Sequence, residues 1–94
     1  MDQNEELDKI AIHRRRLLYR ASHRGTFETD ILIGEFAKEY LPSMSESDMR
    51  LFEQILDIAD ADLAMWLTGQ APVPDKINHR LFQAMIAYAH RERS

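Results

Sequence analysis

Apolar residues in this chain recur at three- and four-residue intervals, and Gly, Pro, Ser, Thr or Asp breaks the rhythm after each short run. No stretch keeps up a period-two alternation, and no Asn-Gly or Asp-Gly pair marks a hairpin. The elements this chain can build are therefore helices.

The first helix is predicted to end at His23 or Arg24, with Gly25 as its left-handed cap. Glu5, Glu6 and Asp8 load its start with acids and Arg14 to Arg24 load its end with bases, both of which complement the helix dipole. Its stripe of Leu7, Ile10, Ala11, Leu17, Leu18 and Ala21 is interrupted at Arg14. Thr26 caps a second helix over about 27–40, with Glu28 and Asp30 in its first turn. That helix is predicted to bury Phe27, Ile31 and Gly34 on one line and Leu32, Phe36 and Tyr40 on the next, and Pro42 stops it.

Ser45 opens a third helix, with Asp48 at the capping-box position and Met49, Phe52, Ile55, Leu56 and Ala59 as its apolar face. Asp60 or Asp62 starts a short fourth helix through Leu63, Trp66 and Leu67, with Trp66 as a core anchor and Gly69 as its end. Residues 70–74 form a rigid turn around Pro72 and Pro74. Asp75 is predicted to cap the last helix, whose stripe is Ile77, Leu81, Ala84, Met85 and Tyr88. Five helices with short connections predict an all-α fold, a small antiparallel five-helix bundle. We expect a single helical domain over residues 1–94, with 1–4 and 91–94 frayed.

A chain of 94 residues buries somewhat over roughly 60% of its unfolded surface, so a monomer when free is expected, with a thin core. The absence of cysteine excludes disulfides, thiolate metal sites and cysteine nucleophiles. Apolar runs of only a few residues and an acidic opening stretch predict no membrane insertion, no secretory signal and a cytoplasmic location.

The net charge of −4 hides an asymmetry. Residues 9–24 hold Lys9, Arg14, Arg15, Arg16, Arg20 and Arg24 and no acid, whereas residues 28–62 carry ten acids against Lys38 and Arg50. The junction at 23–30 puts an arginine, a bare backbone and a carboxylate within five residues, the pattern of a contact site.

Chemistry of other kinds finds little support. His13, His23, His79 and His90 are never three or four residues apart, so no helix face offers a histidine pair to a metal. Asp75 and His79 have helical i, i+4 spacing, which a surface contact explains equally well. The serines lack a nucleophile-elbow context, and Gly25, Gly34 and Gly69 are too scattered for a phosphate loop. No catalytic, metal-binding or cofactor-binding residue is expected. The arginine run admits two readings, a helix lying on nucleic-acid phosphates or a basic face neutralised by the acids of neighbouring helices. Three successive arginines spread around the helix, and the acids that follow repel a polyanion, so no nucleic-acid partner is expected.

Arg24, Gly25, Thr26, Phe27 and Glu28 spell RGxxE, which resembles the motif of the SdhE family, the bacterial relatives of succinate dehydrogenase assembly factor 2. Asp30 falls where that motif continues, and residues 60–67 resemble the family's DxDLxxWL segment. Tyr40 and the helix start at Ser45 add to the similarity, which covers about residues 10–90. The chain departs from the pattern at His23, where many relatives carry a second arginine, and at Thr29, where leucine is common.

The resemblance implies an assembly factor, not an enzyme, that binds the flavoprotein subunit of succinate dehydrogenase, and in some bacteria of fumarate reductase. Its implied action is to promote covalent attachment of FAD to a histidine of that subunit; as the chain has no dinucleotide motif, it is not expected to bind FAD itself. Arg24, Gly25 and Glu28 would form the docking surface, with Arg24 forking onto a partner carboxylate, Glu28 as reciprocal acceptor, and Asp30 and Arg20 beside them. The basic helix would steer association with an acidic patch. A second role that the family carries is that of an antitoxin-type module neutralising a membrane toxin.

Overall fold

Helical periodicity becomes five α-helices and one 3-10 turn: α1 (Gln3–Ser22), α2 (Phe27–Tyr40), the turn Leu41–Ser43, α3 (Glu46–Leu56), α4 (Asp60–Leu67) and α5 (Arg80–Arg93). The structure, a computed structural model, describes residues 3–93, with side chains described over 4–91; of the ends expected to fray, residues 1, 2 and 94 lie outside it. Among the described residues the fold is all-helical, with no strand.

Local signals explain most element boundaries. The Thr26 hydroxyl accepts from the backbone N–H of Thr29 at the start of α2, and the Ser45 hydroxyl accepts from that of Asp48 at the start of α3. Gly69, at φ +78°, follows α4. Other boundaries shift. Helix α1 ends at Ser22, so Gly25 is not its immediate cap; at φ +108° it turns the chain between α1 and α2 instead. Asp75 does not cap α5, because residues 75–77 close a separate turn on the Pro74 carbonyl. Helix α5 begins at Arg80, and the His79 ring Nδ1 accepts from the Phe82 N–H, so Asp75 and His79 share no helix. The Asp48 carboxylate makes no capping box; it accepts from Arg80 at 3.0 Å and ties α3 to α5.

The core lies where α2 meets α1, α3, α4 and α5. Leu17 and Ala21 of α1, Ile33, Phe36 and Ala37 of α2, Phe52 and Ile55 of α3, Leu63 and Leu67 of α4, and Phe82 and Met85 of α5 are all buried. Phe36 sits at its centre, 6.0 Å from the Phe52 ring and 5.8 Å from that of Tyr88. Trp66 is half-buried and packs edge-on to Phe82. Each fully buried phenylalanine contributes about 1.5–3 kcal/mol of burial free energy.

Two local devices close the gaps between helices. Arg14, the interruption in the α1 stripe, donates to the carbonyls of Leu41 and Met44 and so satisfies the turn that ends α2. Gly34 lets α2 approach α1 closely, for a Cβ there would stand 3.1 Å from the Ser22 Cα. The apolar pattern misplaces some side chains. Leu7 is exposed where the first turns of α1 overhang the core, Ala59 precedes α4 on the surface, and Ala84 faces solvent on α5.

Candidate contact site at the turn between α1 and α2

The four residues between Ser22 and Phe27 reverse the chain, and Asp30 holds that reversal. Its Oδ1 accepts from the backbone N–H of Arg24 at 2.6 Å and from that of Gly25 at 3.3 Å. Asp30 sits in the first turn of α2, where a carboxylate is favoured, so one side chain serves both the helix and the turn. Thr29, buried at the same corner, pairs its hydroxyl with that of Thr26.

Arg24 points inward. Its side chain is only 9% exposed, its Nε donates to Asp60 Oδ1 at 2.6 Å, and its two terminal nitrogens donate to the carbonyls of Leu56 and Ile58. Leu56 ends α3 and Asp60 begins α4, so the guanidinium cross-links the first turn of the molecule to the corner between these helices. The RG pair and the Asp60 segment, 36 residues apart in sequence, are thus one structural unit. The Arg24 guanidinium, expected to fork onto a partner's carboxylate, here directs three of its N–H donors to acceptors of its own chain.

What remains on the surface is different. Gly25 is exposed, and a Cβ built on it meets nothing within 4 Å. Glu28 is exposed beside it. Phe27, predicted to be buried, is 83% exposed, and Ile31 one turn later is exposed at 40%. Helical geometry gives the reason: nine residues at 100° each place Phe27 about 180° from the buried Phe36. Phe27 is the exposed aromatic that sequence reading placed in the core, and this angle was the signal that could have found it. Tyr40 is also exposed, at the edge of the core where its ring stacks on Phe36.

Arg20 lies half-buried on the α1 side and pairs with Asp57 at 2.7 Å and Glu53 at 3.9 Å. His13 reaches Glu53 at 3.1 Å. These contacts bring part of the basic face of α1 against the acids of α3, as the neutralised-face reading expects. A shallow groove of about 330 Å³ runs beside the turn, lined by Tyr19, Arg20, His23, Arg24 and Asp60. Tyr19 and His23 stack above it with ring centroids 4.0 Å apart, and His23 Nδ1 lies 2.8 Å from the Tyr19 carbonyl, which fixes that nitrogen as the donor. Among the described residues no three His, Asp or Glu side chains converge to hold a metal ion. No helix among them is long and apolar enough to cross a membrane.

Fold and site together define a compact all-helical protein with a bare turn and an exposed aromatic at the corner between α1 and α2. A family model described as flavinator of succinate dehydrogenase matches residues 15–89. The chain is 42% identical over 79 residues to the FAD assembly factor SdhE of Acetobacter pasteurianus, covering 84% of this chain and 72% of that protein. It is 33% identical over 89 residues to the mitochondrial succinate dehydrogenase assembly factor 2 of Schizosaccharomyces japonicus, covering 94% of this chain and 61% of that protein. With the Saccharomyces cerevisiae factor of the same name it shares 34% identity over 93 residues, covering 56% of that protein. This chain belongs to the flavinator of succinate dehydrogenase family.

Proposed function

We propose that the protein is an assembly factor that binds the flavoprotein subunit of succinate dehydrogenase and promotes covalent attachment of FAD to it. The observation that carries this reading is the contact corner itself. A chain of the flavinator family holds Gly25, Phe27 and Glu28 on its surface while Arg24 and Asp30 hold the turn rigid from within. A rigid corner with an exposed aromatic fits a docking wedge, and a wedge acts by orientation. Attachment requires the flavin and the partner's histidine to be held in near-attack geometry, which a bound factor can impose without donating a catalytic group.

In this assignment the factor is not itself an enzyme. Gly25 admits close backbone approach, Phe27 supplies the buried anchor of the interface, and Glu28 accepts from a donor on the partner. We assign its action to the cytoplasm and treat it as a monomer when free. We also read the helices as an antiparallel arrangement, since a four-residue connection folds α2 back along α1. Fumarate reductase, with a flavoprotein of similar kind, is the second partner within this reading.

The test is covalent flavin fluorescence of the denatured flavoprotein from cells lacking this protein, complemented with wild type, Gly25→Ala, Gly25→Arg or Glu28→Ala. Both glycine variants carry the same backbone strain of about 1–2 kcal/mol, and only arginine adds bulk at the bare turn. Wild type is expected to restore covalent flavin, and Gly25→Arg to fail while it remains folded. Normal covalent flavin in cells without the protein would overturn the reading.

A further inference from the structure

The outward face of α1 continues the contact corner. Ile12, Arg15, Arg16 and Tyr19 fall within about 100° of the helix surface, opposite the buried Leu17 and Ala21, and His23 follows just past the helix end. All five are exposed, Tyr19 at 64%. A second shallow groove of about 480 Å³, lined by Ile12, Arg15, Arg16, Tyr19 and Arg20, meets the groove beside the turn, because Tyr19 and Arg20 line both. Tyr19 is therefore a ridge between the two, braced by its stack on His23.

The charges on this face are uncommitted. His13, Arg14, Arg20 and Arg24 all have acceptors on α3, α4 or the turn after α2. Arg15 and Arg16, exposed on the flanks of the Tyr19 ridge, pair with no acid among the described residues. Two cations on either side of an apolar ridge match separated carboxylates with an apolar side chain between them. A continuous run of phosphates fits less well, since Glu53 and Asp57 stand next to Arg20 and repel a polyanion.

We propose that this face of α1 is a second half of the docking surface and receives an acidic segment of the flavoprotein subunit. Carboxylates of that segment engage Arg15 and Arg16, and one apolar side chain packs between Ile12 and Tyr19. The inference rests on the partner assigned above and adds where on this chain, and by what chemistry, that partner is held. The contact is partly desolvated by the Tyr19 ridge, so it contributes to affinity as well as to the rate of encounter.

The experiment is a titration of the isolated flavoprotein subunit with the full chain, at about 0.05 M and about 0.3 M salt, across which the Debye length shortens markedly. Wild type is compared with the Arg15→Glu, Arg16→Glu double variant, with Tyr19→Ala, and with Arg50→Glu, an exposed reversal on α3 away from this face. The double variant is expected to bind at least about tenfold more weakly at low salt and to lose most of the salt dependence. Tyr19→Ala is expected to weaken binding at both salt levels, and Arg50→Glu to bind as wild type. Equal binding by wild type and the double variant would overturn this inference and leave the assignment of partner standing. No binding by wild type would overturn both. Binding of anionic vesicles or duplex DNA that the double reversal abolishes, with flavoprotein affinity unchanged, would assign the face to a polyanionic surface instead.

Discussion

Removing the Arg24 side chain leaves the carbonyls of Leu56 and Ile58 and the carboxylate of Asp60 without their donor. A partly buried charge stripped of its partner is costly, so Arg24→Ala is expected to lower stability by about 2–4 kcal/mol, read by urea unfolding. An unchanged midpoint would contradict the inward geometry. Phe27→Ala should behave in the opposite way. Its ring touches little of its own chain, so stability should move by less than about 0.5 kcal/mol, while affinity for the flavoprotein falls on the order of thirtyfold, as for an aromatic anchor. Wild-type affinity in the Phe27 variant would remove that residue from the contact corner. Measured together, the two variants would separate a motif residue that acts through the fold from one that acts through contact.

At the scale of elements, α1 and α2 are held together by a missing side chain. Gly34→Ala would set a Cβ 3.1 Å from the Ser22 Cα, and backbone cannot yield as a side-chain tip can. The expected cost is about 1–3 kcal/mol, measured by thermal unfolding, and no cost would mean that the two helices stand farther apart. Helix α2 was legible to the residue, 27–40, because Thr26 and Pro42 are local signals that bound it. The start of α5 was not. Pro74 draws Ile77 and Asn78 into a turn of its own, and the helix waits for His79 to cap it. Asp48 was misread for a related reason, since its partner Arg80 lies on another element that no local window includes. The RGxxE segment was visible as a motif, but which of its side chains face inward depended on Asp60, and that meeting is tertiary.

At the scale of the molecule, charge is divided by task. The pairs His13–Glu53, Arg20–Asp57 and Arg80–Asp48 join different helices at the surface, where each contributes about 0–1 kcal/mol, and Arg91–Glu39 joins α5 to α2. Glu39 holds the Arg91 guanidinium above its ordinary pKa. Salt should therefore change the unfolding midpoint by only a few degrees while it strongly weakens flavoprotein binding. A stability loss as steep as the affinity loss would mean that the ion pairs, not the core around Phe36, hold the helices together.

The most direct test of the central claim reconstitutes attachment from purified parts. Flavoprotein subunit lacking covalent flavin is incubated with FAD, with and without this chain, and covalent flavin is followed over time by its fluorescence after denaturation. The account predicts that wild type accelerates attachment and that Gly25→Arg and Phe27→Ala, shown folded by circular dichroism, do not. Acceleration by both variants equal to that of wild type would contradict it, because the corner at Gly25 and Phe27 would then have no part in holding the flavoprotein.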